Sequence, residues 1–246
     1  MFRYKCVVAY DGSNFSGYQV QPNGRTVQGE LEAALKKIHK GEEVKVVGSG
    51  RTDAGVHATG QVIHFDTPLH IPLNRWPIVL NSMLPNDISI KQTELVDANF
   101  HARFSVVKKE YRYKVYTSPY RDPFKHVYAY HYPYPLNLDE MEKASKHFIG
   151  THDFTSFCSA KTEVADKVRT IEDIRFVKSN EELEVQFIGN GFLYNMVRIL
   201  MGTLLEVGIG KRKSEEIPSI LEQRNRINAG KTAPAEGLYL WKVYYD

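Results

Sequence analysis

The stretch Glu110–Thr117, EYRYKVYT, puts Tyr111, Tyr113 and Val115 on one face of an extended chain and Arg112 and Lys114 on the other. Period two over this length predicts a half-buried β-strand. Its position decides the fold, because the order of elements that precedes it begins again here. Upstream, Tyr4–Tyr10 reads as a strand closed by the turn signal Asp11-Gly12. Thr26 can cap a helix with Val27, Leu31, Ala34, Leu35 and Ile38 on one face and Gly41 as its stop. Val44–Val47 and Gln61–Phe65 read as hairpin-like strands on either side of a glycine-rich loop. Trp76, Val79, Leu80, Met83 and Leu84 then keep helical spacing up to Pro85, and DISIKQTELV, residues 87–96, reads as another strand. Downstream the pattern repeats in outline: a helix after Asn137 carrying Leu138, Met141, Ser145 and Phe148, then the strand pair IEDIRFVK and ELEVQFIG. After Gly191, Leu193, Met196, Val197, Leu200, Met201, Leu204 and Leu205 form one wide apolar stripe that ends at Gly208.

The expected fold class is therefore α+β: two similar α/β-sandwich halves of the RRM or ferredoxin-like kind, with antiparallel sheets, fused across a central cleft. The expected boundaries are residues 1–105 for the half that carries the glycine loop and 106–246 for the half that completes the site. The chain has 246 residues, 42% of them hydrophobic, which is ample for such a core. No run approaches the length of a membrane span, and the N-terminus reads as a first strand rather than a signal, which places the protein in the cytoplasm. Cys6 and Cys158 lie far apart without metal or redox spacing and read as buried thiols. A net charge of +3 permits a nucleic-acid partner without demanding one.

The loop GSGRTDAGVHATGQV, residues 48–62, is too glycine-rich for a helix and too polar for a core. Its glycines lack the GxGxxG spacing, and no GK[ST] follows, so a phosphate cradle is a weak reading. An aspartate bonded to its own turn is the common fate of that residue. It leaves the density of Gly, Arg, Thr, Asp and His unexplained, whereas a backbone that lets a ligand approach Arg51 and Asp53 closely accounts for it.

This loop resembles the signature of the tRNA pseudouridine synthase family of the TruA type, which modifies the anticodon stem-loop. YDGSNFSGYQVQPNGRTVQGELEAAL, FHARFSVVKKEYRYKVY, GNGFLYNMVRILMGTLLEVG and TAPAEGLYLWKVYYD are similar to the same family in the same order, over essentially the full chain. Tyr18 departs from the pattern where the family usually has tryptophan, and Val106 where a small residue is common. The resemblance implies that Asp53 is the essential carboxylate of a uridine isomerisation that needs no metal and no cofactor. Such a carboxylate can attack the sugar carbon, stabilise charge developing there or take part in proton transfer. It implies further that Tyr111 lies against the target uracil with its hydroxyl available as a base near C5, that Arg198 pairs with Asp53, and that Arg51 braces the flipped-out uridine. Arg51, Tyr111 and Leu193 are the implied substrate-binding residues; His57 is a further candidate lining the same loop, with an ordinary structural hydrogen bond as the equal alternative. The implied partners are tRNA, modified around nucleotides 38 to 40, and a second copy of the chain in a homodimer.

Eight of the fifteen tyrosines fall between Tyr111 and Tyr134, interleaved with Arg112, Lys114, Arg121 and Lys125. The mixture suits loop RNA, although edge strands rich in tyrosine account for part of it. The basic runs at 210–216 and 222–231 suit phosphate contacts. A catalytically silent RNA-binding module would call for RNP-type strings, and a glycosidase for a second acid. Neither signal is present in the motif. A synthase acting on other uridines is the remaining alternative.

Overall fold

The computed structural model describes residues 1–162 and 164–246. They form two compact units, one of Met1–Val107 with Tyr239–Asp246, the other of Lys108–Leu238. In chain order the elements are β1 (Phe2–Tyr10), α1 (Val27–Ile38), β2 (Val47–Gly48), β3 (His57–Thr67), α2 (Trp76–Met83), β4 (Ile88–Val96), β5 (Val106–Tyr116), β6 (Tyr130–His131), α3 (Leu138–Lys146), β7 (Gly150–Asp153), β8 (Val168–Ser179), β9 (Glu182–Gly189), α4 (Met196–Gly208), α5 (Ile217–Gln223) and β10 (Leu238–Tyr245).

In the first unit the strand order is β4-β1-β3-β10, with the short β2 also on β3. The side chains that alternate inward along β1, Tyr4, Cys6, Val8 and Tyr10, are all buried. Tyr4 and Phe65 meet Trp76 of α2 at ring separations of 5.0 and 5.3 Å, which fixes that helix to the sheet face. Thr26 caps α1 as expected, its hydroxyl accepting from the Gly29 N–H at 3.3 Å. The chain leaves that helix through Lys40 and Gly41, both at positive φ, with the Gly41 N–H bonded to the Lys36 carbonyl at 2.8 Å.

Two features of this unit depart from the reading of the sequence. The expected strand Val44–Val47 pairs with β3 only from Val47 onward. Val44 and Val46 are buried nonetheless, and the backbone of Val46 bonds to side chains of α1: its N–H to Glu32 Oε1 at 3.1 Å, its carbonyl to Gln28 Nε2 at 3.3 Å. The helix has taken the strand's place as hydrogen-bonding partner. The C-terminal strand, assigned from the sequence to the second half, pairs in parallel with β3, Tyr239 against His57 and Leu240 against Ala58. The first unit's sheet is thus mixed rather than purely antiparallel.

In the second unit β5-β9-β8-β7 is an antiparallel run, and β6 pairs in parallel with the end of β5. The strand that opened the sequence reading lies in β5 with Tyr111, Tyr113 and Val115 buried and Arg112 and Lys114 half-buried on the opposite face. Asn137 caps α3 through the Glu140 N–H at 3.1 Å. The apolar stripe corresponds to α4, but the helix starts at Met196, behind Asn195 in the left-handed region at φ 61°, so Leu193 precedes it. Every residue of α4 is buried except Arg198. Close approach permits this: a Cβ at Gly202 would fall on the carbonyl oxygen of Lys231, and one at Gly208 on Met141 and Leu136. Apart from the short strands β6 and β7 of the second unit, both units share the order strand, helix, antiparallel pair, helix. The first strand of each pairs antiparallel with the second strand of that pair.

Candidate active site

Asp53 stands on the loop between β2 and β3 in the first unit, half-buried, with Arg51 exposed and Thr52 buried between them. The loop turns immediately after Asp53: the Val56 N–H bonds to the Asp53 carbonyl at 3.1 Å, and Gly55 takes φ +78° at the third position, which explains the glycine. The turn packs on the segment that follows β1. The Tyr18 N–H donates to the Thr52 carbonyl at 3.0 Å, and a Cβ at Gly12 would fall on the Val56 carbonyl.

Side chains beneath the loop complete its support. The Tyr10 hydroxyl meets Thr52 Oγ1 at 2.8 Å, both groups buried. Gln61, wholly buried in β3, accepts from the Ser49 hydroxyl at 2.6 Å and donates through Nε2 to the Gly50 carbonyl at 2.9 Å. The Tyr18 ring lies against Gly48, where any side chain would strike its hydroxyl. That hydroxyl is buried without a hydrogen-bond partner among the described residues, and burial raises the phenol well above its ordinary pKa. Tyr18 is one of the two positions that depart from the family pattern, and its effect is on the packing of this loop.

His57, expected to line the loop, is the first residue of β3 and is buried. Its ring stacks on Tyr239 at 4.7 Å, Nδ1 accepts from the Gly12 N–H at 3.0 Å, and Asp11 Oδ1 lies 3.2 Å from the same nitrogen. The histidine ties the β1 turn to the strand that leaves the loop.

The other named residues belong to the second unit. Tyr111 is 8% exposed on β5, edge-to-face with Phe192 at 5.2 Å. Leu193, next in the chain, is buried, and its carbonyl accepts from the Met196 N–H at 3.0 Å. Arg198, on the third position of α4, donates through Nε to the Ala233 carbonyl at 2.7 Å and through Nη1 to Asn195 Oδ1 at 2.9 Å. Its own carbonyl takes the Ala233 N–H at 3.0 Å. The arginine at the edge of an apolar stripe thus has neutral oxygen partners within its unit, and its planar fork is held in one orientation.

The structure brings Arg51, Asp53 and His57 onto one supported loop and its exit strand, and Leu193 and Arg198 onto the entry to one helix, close in the chain to the Phe192 that touches Tyr111. Tyr10, Thr52, Gln61 and Ala233 escaped the reading of the sequence. Gln61 alone carried a signal, a neutral polar residue inside an apolar strand run. The basic runs also make contacts within the fold. Arg212 lies 3.3 Å from Glu206 and 3.5 Å from Glu216, and Arg224 lies 3.1 Å from Asp153. Arg226 donates to the Gly230 carbonyl at 2.9 Å. Among the described residues no group of three or more His, Cys, Asp or Glu could hold a metal ion, and no helix is long and apolar enough to cross a membrane.

The loop thus presents one half-buried carboxylate, Asp53, two residues from the exposed guanidinium of Arg51. Residues 6–105 and 144–246 match the family model described as tRNA pseudouridine synthase. Along its length the chain is 61% identical over 245 residues to tRNA pseudouridine synthase A of Bacillus subtilis, covering 99% of both chains. It is also 61% identical to the protein of that name from Anoxybacillus flavithermus, over the whole of both. A chain in the crystal structure of a Cbf5-Nop10-Gar1 complex is similar at 12% identity and a TM-score of 0.36, over 82% of this chain and 54% of that one. The chain belongs to the tRNA pseudouridine synthase family.

Proposed function

We propose that the protein isomerises uridine to pseudouridine in the anticodon stem-loop of tRNA, around nucleotides 38 to 40, in the cytoplasm and as a homodimer, with Asp53 as the reacting carboxylate. The observation that carries the reading is the placement of Asp53: half-buried on a loop fastened from below, in a chain that belongs to this family. In the reaction the bond from N1 to C1′ breaks, a bond from C5 to C1′ forms, C5 loses its hydrogen as a proton and N1 gains one. No electrons are exchanged with the surroundings. The carboxylate meets the sugar carbon as it loses N1, where negative charge is worth most. Tyr111 supplies a ring against the uracil and a hydroxyl for the C5 proton, and Arg198 keeps the carboxylate ionised and oriented. The exposed Arg51 braces the space a flipped base leaves and Leu193 borders the base, while the buried His57 supports the loop from its exit strand. Tyr120 and Phe124, 80% and 87% exposed, suit stacking with unpaired bases of the RNA.

The test is release of tritium from tRNA labelled at uracil C5. Wild type should release it and Asp53→Asn should not; mapping the sites of release then decides the nucleotides. Wild-type release by Asp53→Asn would overturn the assignment of Asp53, and no release by a folded wild type that binds tRNA would overturn the activity.

A further inference from the structure

We propose that Tyr10 and Gln61 are positioning residues for the isomerisation, holding the loop that carries Asp53 through buried hydrogen bonds to Thr52, Ser49 and Gly50. The inference rests on Asp53 being the reacting carboxylate. Its physical basis is that a loop with Gly48, Gly50 and Gly55 has unusual conformational freedom, which must be removed before one side chain can meet one sugar carbon.

Tyr10 ends β1, and its hydroxyl reaches Thr52 Oγ1 at 2.8 Å, one residue before Asp53. The Thr52 carbonyl is held at the same time by the Tyr18 N–H at 3.0 Å, so Thr52 is fixed through side chain and backbone together. Burial pushes the Tyr10 phenol up to about 12, so at neutral pH it is a neutral hydroxyl suited to bonding and not to proton transfer. Gln61 directs its whole amide at the other end of the loop: Oε1 takes the Ser49 hydroxyl at 2.6 Å and the Val62 N–H at 3.1 Å, and Nε2 donates to the Gly50 carbonyl at 2.9 Å. The Ser49 N–H returns to the Val62 carbonyl at 2.7 Å. A fully buried amide is costly in an apolar strand unless every group is satisfied, and here the groups that satisfy it lie in its own strand and in the loop before Asp53. Packing alone would be served by an apolar residue at this place on β3.

The experiment measures single-turnover rates at saturating tRNA, tRNA dissociation constants and thermal unfolding for Tyr10→Phe, Thr52→Val, Thr52→Ser, Gln61→Glu, Ser49→Ala and Asp53→Asn. Tyr10→Phe, Thr52→Val and Gln61→Glu should each slow the chemical step by about 10- to 100-fold while tRNA affinity stays at the wild-type value. Thr52→Ser, which keeps the hydroxyl, should restore the rate. The double variant Tyr10→Phe/Thr52→Val should be no slower than Tyr10→Phe alone, because the hydroxyl that Thr52 meets is already gone in that variant. Wild-type single-turnover rates in folded Tyr10→Phe and Thr52→Val, or a loss confined to tRNA affinity, would overturn the role of Tyr10; the same results in Gln61→Glu, or in Ser49→Ala where Gln61→Glu fails to fold, would overturn that of Gln61. Asp53→Asn separates the two levels of the argument. If it turns over normally, the reading of the site fails; if it is inactive while Tyr10→Phe and Thr52→Val are not slowed, only the positioning role of Tyr10 fails.

Discussion

Tyr111 and Arg198, both proposed to act in the isomerisation, are held in different ways. Tyr111 is held by its ring, edge-to-face with Phe192, and Tyr111→Phe keeps that contact. We expect this variant to bind tRNA as wild type does and to lose about 10²- to 10⁴-fold in turnover, the usual worth of a proton-transferring group; filter binding and tritium release read the two effects separately. Arg198 is held by its fork, on the Ala233 carbonyl and Asn195. Arg198→Ala should lower the rate by at least about 10²-fold. Its unfolding free energy should fall by only about 1 to 3 kcal/mol, for the oxygen atoms left unpaired. Arg198→Lys should fail to restore the rate, since an ammonium cannot reproduce a planar fork. The place of Tyr111 on the buried face of a strand was legible from alternation alone. The partners of Arg198 were not, because Ala233 lies far along the chain and offers only its backbone.

At the scale of elements, α4 and β3 carry most of the constraint. Gly202 is a mid-helix glycine, and an alanine there would ordinarily stabilise a helix by about 1 kcal/mol. Here the added Cβ would meet the Lys231 carbonyl. Gly202→Ala should therefore lower the thermal midpoint, with a net loss of about 1 to 3 kcal/mol from overpacking. On β3, His64 is buried, its Nδ1 accepts from the Ala102 N–H at 3.1 Å, and its pKa is lowered to about 4, mainly by burial and then by the nearby Arg3 and His101. The unfolded chain binds this proton near pH 6.5, so between 6.5 and 4 it holds more protons than the folded one. The His64 contribution is complete above pH 6.5 and is lost as the pH falls, with a slope of at most about 1.4 kcal/mol per pH unit. Denaturant titrations across this range should show that slope in wild type and its absence in His64→Gln. Helical stripes and caps announced α1, α3 and α4, whereas the irregular course of residues 44–46 was hidden because their hydrogen bonds go to side chains of α1.

At the scale of the whole molecule, the proposed homodimer predicts twice the chain mass in sedimentation equilibrium at the concentration used for assay; a single-chain mass with full activity would refute it. Local order determined much of this protein in the sequence itself. Strand alternation, helix stripes, the Thr26 and Asn137 caps and the single aspartate of the glycine loop all depend on residues a few positions apart, and so could be read directly. Only the tertiary structure decided that β10 joins the first unit beside β3, and that Tyr10 and Gln61 fasten the Asp53 loop. Each of those outcomes is a contact between segments that fold into proximity, where pairing geometry and the need to satisfy buried polar groups choose the partner, and periodicity along the chain carries no record of that choice.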